Sequence, residues 1–458
     1  MSKFFRSARE IAFMTAAGAT RCSARAAARL PTLSLSGGRL ASCLFLSSLW
    51  PEPDSSAAGV RTEALLHAFQ RWGYDCSFAA SSAPKSAYVE RLQSRGVQAY
   101  ECPPNREAEL ARVLERTAPD VVGNFDRFFT EEAFSFRVRE LAPAALRVLD
   151  MQDMHALRRG RQLVVEQTLE QGASSDAAIS AALAHTPSAG SSDLLRELAA
   201  VHRSDLTLVC SPVEQQLLAA SYGIPSHKLA LASFFCAEAA PDAQPGDRGF
   251  GYGRANGFGA RADFVTVGGF KHPPNVDAVR WLASDIWPRI RARMPQAQLR
   301  IYGAYPTAAV QRLHSPDTGL HVCGYAPSLD VLAASRVLLA PLRYGAGIKG
   351  KAGRRSDAAW GGLVAESGEA FAEAAVQLAS NAAVWERAQA GGRRLLAQLY
   401  AREANLGVVR AAIESARVGL AERRAGDVYG ALLWQQSARS TEFFSRWIEL
   451  KERQKNDT

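Results

Sequence analysis

Eleven residues, Pro341-Leu342-Arg343-Tyr344-Gly345-Ala346-Gly347-Ile348-Lys349-Gly350-Lys351, combine three glycines with three cations. They follow Val337-Leu338-Leu339-Ala340, an apolar run that reads as a buried strand ended by Pro341. Glycine lets a backbone approach an anion closely, and Arg and Lys neutralise its oxygens. A strand running into such a loop can cradle a diphosphate, although a plain basic surface loop has the same composition. Gly268-Gly269 forms a second glycine turn after the apolar run Phe264–Val267, and suits a phosphate for the same reason. A third group is Asp150, Asp153 and His155, at the carboxyl end of the predicted strand Arg147-Val148-Leu149. Phe125-Asp126-Arg127-Phe128 lies just upstream. Ligands of open α/β sheets sit beyond the carboxyl ends of the strands. His155 is therefore a site residue, or a residue that caps a helix or bonds to a neighbouring Asp.

Strands and helices alternate around these groups. Cys43–Leu46 reads as a first strand, and the turn-rich Trp50-Pro51-Glu52-Pro53-Asp54 leads into a helix whose apolar face is Leu65, Leu66, Phe69 and Trp72. Strands at Cys76–Ala80, Val97–Tyr100, Pro119–Val122 and Leu206–Cys210 continue the rhythm, with helices such as Glu107–Thr117 between them. A second series begins at Phe264: Asn275 is placed to cap a helix over Val276–Met294, and strands Leu299–Tyr302 and Leu320–Cys323 follow. This alternation predicts doubly wound parallel sheets in an α/β fold. The expected domains are a Rossmann-like unit over 41–240, a Gly-rich linker over 241–261, a second unit over 262–400, and C-terminal helices over 401–458 that pack back on the body. Residues 172–192, rich in Ala and Ser, read as a flexible insertion.

The chain has 458 residues and a net charge of +9. Residues 1–40 hold seven cations against Glu10 alone, and the other 418 residues are nearly balanced, with 47 cations and 44 acids. The basicity belongs to a leader of organelle transit-peptide composition, so nucleic acid is not an expected partner. The leader is the basis for expecting a cytoplasmic or organellar (mitochondrial or plastid) location. No apolar run approaches the roughly 20 residues of a membrane span. Seven scattered cysteines without a Cys-x-x-Cys pair argue for a reducing compartment and against a structural zinc. The first strand–helix loop lacks Gly-x-Gly-x-x-Gly, which argues against a dinucleotide-dependent oxidoreductase.

Three segments in order, Trp50-Pro51-Glu52-Pro53 through Ala58-Gly59-Val60-Arg61, Leu149–His155 and Ala340–Lys351, resemble family-4 (group 1) glycosyltransferases of the GT-B fold. The tail from Gly430 to Trp447 is similar to one bacterial-type branch. The resemblance implies two Rossmann-like domains facing across a cleft and a nucleotide-sugar donor as co-substrate, with no further cofactor. It also implies a glycan, lipid or small-molecule acceptor and retaining, metal-independent transfer; no Asp-x-Asp motif occurs in the sequence. Arg343 and Lys351 match the pair that contacts the donor diphosphate, with Lys349 and Gly347 beside them, and His155 matches a residue that contacts the transferred sugar. Gly59, Gly268, Gly269, Gly324 and Tyr325 fall at donor-side positions. Arg61, Asp126, Arg127 and Asp153 fall on the acceptor side.

The sequence departs from that pattern after Lys351. The family continues with an acidic residue three positions on, then a strand and a Gly-rich turn. Here Arg354 stands at the acidic position, and Gly361-Gly362-Leu363-Val364-Ala365-Glu366 already resembles the later region. One strand segment of the C-terminal domain is absent, and Asp357 or Glu366 is left as a replacement acid. The alternative function is a catalytically impaired GT-B scaffold, a binding subunit or the product of a truncated gene model.

Overall fold

The computed structural model describes residues 40–236, 257–326, 330–348, 361–365, 367–435 and 439–456. The leader, most of the Gly-rich linker and the stretch from Lys349 to Trp360 lie outside them.

The first half alternates β1 (Ser42–Ser47), α1 (Ala57–Arg71), β2 (Asp75–Ala80), α2 (Ser86–Gln93), β3 (Gln98–Glu101), α3 (Glu107–Thr117), β4 (Val121–Asp126), α4 (Phe128–Leu141) and β5 (Leu146–Asp150). It continues with α5 (His155–Glu170), α6 (Ser175–Ala184), α7 (Ser192–Arg203), β6 (Leu206–Val209), α8 (Pro212–Ala220) and β7 (Leu229–Leu231). The seven strands pair in parallel in the order β3-β2-β1-β4-β5-β6-β7. β1 is buried along its whole length, as its unbroken apolar run predicts for a central parallel strand. Leu44, Leu46, Phe125, Val138 and Leu149 belong to the core that joins this sheet to its helices.

The second half starts with β8 (Ala262–Val267). Helix α9 (Pro273–Trp281) passes through a π-helical turn, Leu282–Ile286, into α10 (Trp287–Arg293). β9 (Leu299–Tyr302), α11 (Ala308–Gln311), β10 (Leu320–Gly324), α12 (Asp330–Ala334) and β11 (Ser335–Leu338) follow. Helices α13 (Gly368–Ser380), α14 (Ala382–Leu399), α15 (Arg402–Arg417), α16 (Leu420–Gly426), α17 (Val428–Leu433) and α18 (Arg439–Asn456) complete the chain. The sheet runs β10-β9-β8-β11. That is the same winding as β3-β2-β1-β4 in the first sheet, stopped one strand past the centre. Among the described residues β11 pairs only with β8, and its Leu338 is 55% exposed. An open edge and a bare apolar side chain are what loss of the next strand leaves behind. Helix α15 crosses back to pack on β6 and β7.

Two sequence expectations are corrected. Residues 172–192 are not a flexible insertion: Ser174 caps α6 by accepting from the Ala177 N–H, and Ala178 and Ala182 are buried beside Val165 of α5. Alanine-rich composition here serves close helix packing. Asn275 does not cap α9. His272 occupies that position, Pro273 and Pro274 form the first turn, and the Asn275 side-chain amide donates to the Gly269 carbonyl at 3.0 Å.

Arg61 of α1 is also displaced from its expected role on the acceptor side. It is 2% exposed, and its guanidinium donates to both oxygens of Asp150 at 2.8 and 3.0 Å and to the carbonyls of Ala232 and Ser233. It ties α1, the end of β5 and the segment after β7 into one block. Arg61→Ala leaves the Asp150 carboxylate buried and unpaired, so urea unfolding should show a loss of about 3–5 kcal/mol. An unchanged midpoint and slope would show that the pair is not what holds these elements.

Candidate functional site in the cleft

The carboxyl ends of both sheets meet. On one side is the loop after β1. On the other are the turns after β8, β9 and β10. Tyr305 donates its hydroxyl to Glu52 at 2.9 Å, and Tyr325 donates to Asp54 at 3.3 Å. Lys85 pairs with Glu52 from the far side. A Cβ on Gly269 would lie 3.6 Å from the Ser55 carbonyl oxygen, an ordinary contact, whereas one on Gly268 would press on the Asn275 side chain at 2.7 Å. Gly59, in the first turn of α1, donates its N–H to the Ser56 hydroxyl, and a Cβ there would overlap the Glu52 backbone. Its requirement for glycine thus comes from the loop's own turn. Gly324 has φ +74° with open space where a Cβ would stand, and Tyr325 beside it is 45% exposed.

The loop after β11 docks onto the first domain. The Gly345 carbonyl accepts from Arg161 of α5 at 2.8 Å, and the Gly347 N–H donates to Glu214 Oε1 at 2.7 Å. Gly347 has φ +75°, and a Cβ would come within 3.0 Å of Asp153 Cβ, so glycine is needed here twice over. Tyr344 is buried against α5 and α6. Arg343 donates through Nε to Asp277 at 2.9 Å and through Nη1 to Ser175 at 3.4 Å, and its guanidinium lies 5.7 Å from the Trp281 ring centre. The guanidinium therefore rests on the α9 carboxylate, beside the loop. Lys349 and Lys351 lie outside the described residues.

Beneath the docked loop is a cluster of buried carboxylates. Glu214 of α8 accepts from the N–H groups of both Gly347 and Met154 on one oxygen, and its other oxygen is buried without a partner. Burial pushes its pKa from 4.5 up to about 7, with the nearby Asp153 charge adding to the shift and the two backbone N–H groups opposing it. Glu197 of α7 accepts from the N–H groups of His155 and Ala156 at 2.6 and 2.9 Å, capping α5 from outside. Burial raises its pKa to about 8. His155 opens α5 with its ring edge-on to Phe128 and close to Phe129, and its Nε2 lies 3.5 Å from Asp153. Burial, helped by the charges of Arg158 and Arg127, lowers the imidazole pKa to about 4, so the ring is neutral at physiological pH. Burial alone would raise Asp153, but the charges of Arg158 and His155 overcome it and the carboxyl is lowered.

Asp126 is buried at the end of β4, where it accepts from Ser47 at 2.9 Å and Gln152 at 2.6 Å and pairs with Arg127 at 3.3 Å. Arg127, Gln152 and Tyr305 all have left-handed φ, at 71°, 59° and 59°. They are three of the six described non-glycine residues with positive φ; the others are Asn105, Ala118 and Asp263.

Sequence reasoning missed Glu52, Arg161, Glu197, Glu214 and Tyr305. Glu214 had a readable signal. Ser211-Pro212-Val213-Glu214 has capping-box spacing, yet the Ser211 side chain makes no cap bond and the Glu214 carboxylate turns to the cleft. The others lie in chain-distant elements, and only the fold brings them together.

The chain superposes on HepE from Anabaena in complex with UDP and glucose with a TM-score of 0.52 at 11% identity, covering 82% of this chain and 100% of that one. A glycosyltransferase from Rickettsia africae gives a TM-score of 0.53 at 10% identity, covering 83% and 99%. TarM from S. aureus, in complex with fondaparinux, alpha-GlcNAc-glycerol and UDP, gives 0.52 at 8%, covering 81% and 99%. Residues 261–354 match the family model of glycosyl transferases, group 1. The fold is that of the GT-B glycosyltransferases. No curated protein matches the chain. In GT-B terms the matched segment runs from β8 through the docked loop, and its last residues are those where the sequence departs from the family.

A carboxyl group whose pKa is raised on folding contributes stability that is complete below its unfolded value and is lost as pH rises through its folded value. For Glu214 that window runs from 4.5 to about 7. Glu214→Gln keeps the acceptor oxygen and cannot ionise. Between the ends of this window wild type should lose on the order of 2–3 kcal/mol relative to the variant in urea melts. Parallel pH profiles would show that Glu214 does not titrate there.

Proposed function

We propose that this chain transfers a sugar from a uridine diphosphate donor to an acceptor hydroxyl, with retention of configuration and without a metal. The observation that carries this reading is the docked loop. A Gly-rich backbone turn with Arg343 at its base is held against Asp153, two residues before His155, at the carboxyl ends of both sheets. When the glycosidic bond breaks, the departing diphosphate gains negative charge, and a fixed guanidinium stabilises that charge more than it stabilises the ground state. Arg343 is half-freed for this work, because Asp277 orients it and a phosphate can take the place of the weak Ser175 contact. Lys349 and Lys351 supply further cations from the continuation of the loop. Neutral His155 can donate a hydrogen bond to a sugar hydroxyl without repelling the Arg127 and Arg158 charges. The UDP bound in HepE and in TarM is the reason for choosing uridine as the base.

The open edge at β11 favours a second reading, in which the scaffold binds a nucleotide sugar or a partner without turnover. Turnover separates the two. In the first reading, the protein releases UDP from a UDP-sugar, and calorimetry detects UDP binding that Arg343→Met weakens about tenfold or more, as expected for loss of a charge-assisted hydrogen bond. UDP binding without any release of UDP in the presence of sugar and lipid acceptors selects the second. Absence of binding by UDP and by every UDP-sugar rejects the first reading and the nucleotide-sugar form of the second.

A further inference from the structure

Helix α18 is attached by its polar side. Ser445, 4% exposed, bonds Asn105 and receives a hydrogen bond from Arg137, and Glu449 pairs with Arg137 and accepts from the Glu107 N–H. At 100° per residue, Glu442, Glu449 and Glu452 all fall on this body-facing half. The opposite half carries Phe443, Trp447 and Leu450, exposed by 64, 50 and 59%. Cations flank that stripe on both sides: Arg446 and Arg453 on one, Lys451 on the other. The Lys451 ammonium lies 4.1 Å from the Trp447 ring centre. A surface helix normally buries its apolar stripe and exposes its charges. Here the apolar stripe faces outward, with Lys451 on one border and Arg453 and Arg446 on the other, Arg446 being also paired with Glu442 and Glu140.

We infer that α18 docks this protein onto an anionic membrane surface, lying in the interface with Phe443, Trp447 and Leu450 among the acyl chains. Aromatic and leucine side chains flanked by Lys and Arg are the pattern of an interfacial helix. Cations at the borders reach back to lipid phosphates, each contributing attraction to an anionic leaflet. A second copy of the chain is a poor occupant, because pairing the two stripes would bring like-charged borders together. The leader, with six net positive charges, is poorly matched for the same reason. The inference does not depend on the sugar-transfer reading.

The test is co-sedimentation of the full chain with vesicles of phosphatidylcholine alone and of phosphatidylcholine mixed with phosphatidylglycerol. Wild type should pellet with the mixed vesicles and far less with the neutral ones. The double substitution Phe443→Ser, Trp447→Ser should lower the partition coefficient by about tenfold or more. Lys451→Gln and Arg453→Gln should each lower it about fivefold on the anionic vesicles only. These side chains are exposed, so unchanged circular dichroism and melting confirm that the variants fold. The inference is overturned if wild type fails to bind mixed vesicles, or if the leader alone carries the binding and all variants pellet like wild type. A wild-type dimer that Phe443→Ser, Trp447→Ser converts to monomer overturns it equally.

Discussion

The Glu214 carboxylate joins the two halves of this protein at the point where chemistry would take place. One oxygen receives N–H groups from Met154, next to His155, and from Gly347, in the loop after β11. Because the group is buried, it must be protonated or fully paired to be tolerated there. Its pKa, pushed up to about 7, and its one unpartnered oxygen fit a group that exchanges its proton close to neutral pH. The surrounding site follows from this contact. Once Gly347 is fixed over Asp153, the Arg161 bond to Gly345 and the burial of Tyr344 set the course of the loop, and Arg343 falls beside Asp277.

The four-stranded second sheet bears directly on function. The winding β10-β9-β8-β11 places the docked loop after the edge strand, where a complete sheet would have a neighbour. What fixes the loop here comes from the other domain: α5, α6 and α8 provide Arg161, the wall behind Tyr344, and Glu214. Helix α6, whose composition reads as flexible, is thus part of the support for the docked loop. Among the described residues no strand follows β11, and interdomain packing holds the loop up to Ile348.

The fold was legible because its signals are local. Apolar runs such as Leu44–Leu46 and helix faces such as Leu65, Leu66 and Phe69 read directly as β1 and α1. Arg343, Gly347 and His155 were readable as candidate site residues from their place at strand ends, and the fold brings all three to the cleft. Arg61 was misplaced because a buried Arg–carboxylate pair and a cleft cation look the same in sequence; only burial tells them apart. Glu214 and Glu197 went unseen because their partners, Gly347 and His155, lie far away in the chain.

The most direct measurement is a crystal structure of the full chain with UDP bound. Phosphate oxygens within hydrogen-bond distance of Arg343 and of the loop from Gly345 to Lys351, with the uracil near Gly324 and Tyr325, are the expected result. UDP bound elsewhere, or Arg343 still paired with Asp277 and untouched by phosphate, would contradict the assignment of this loop as the donor site.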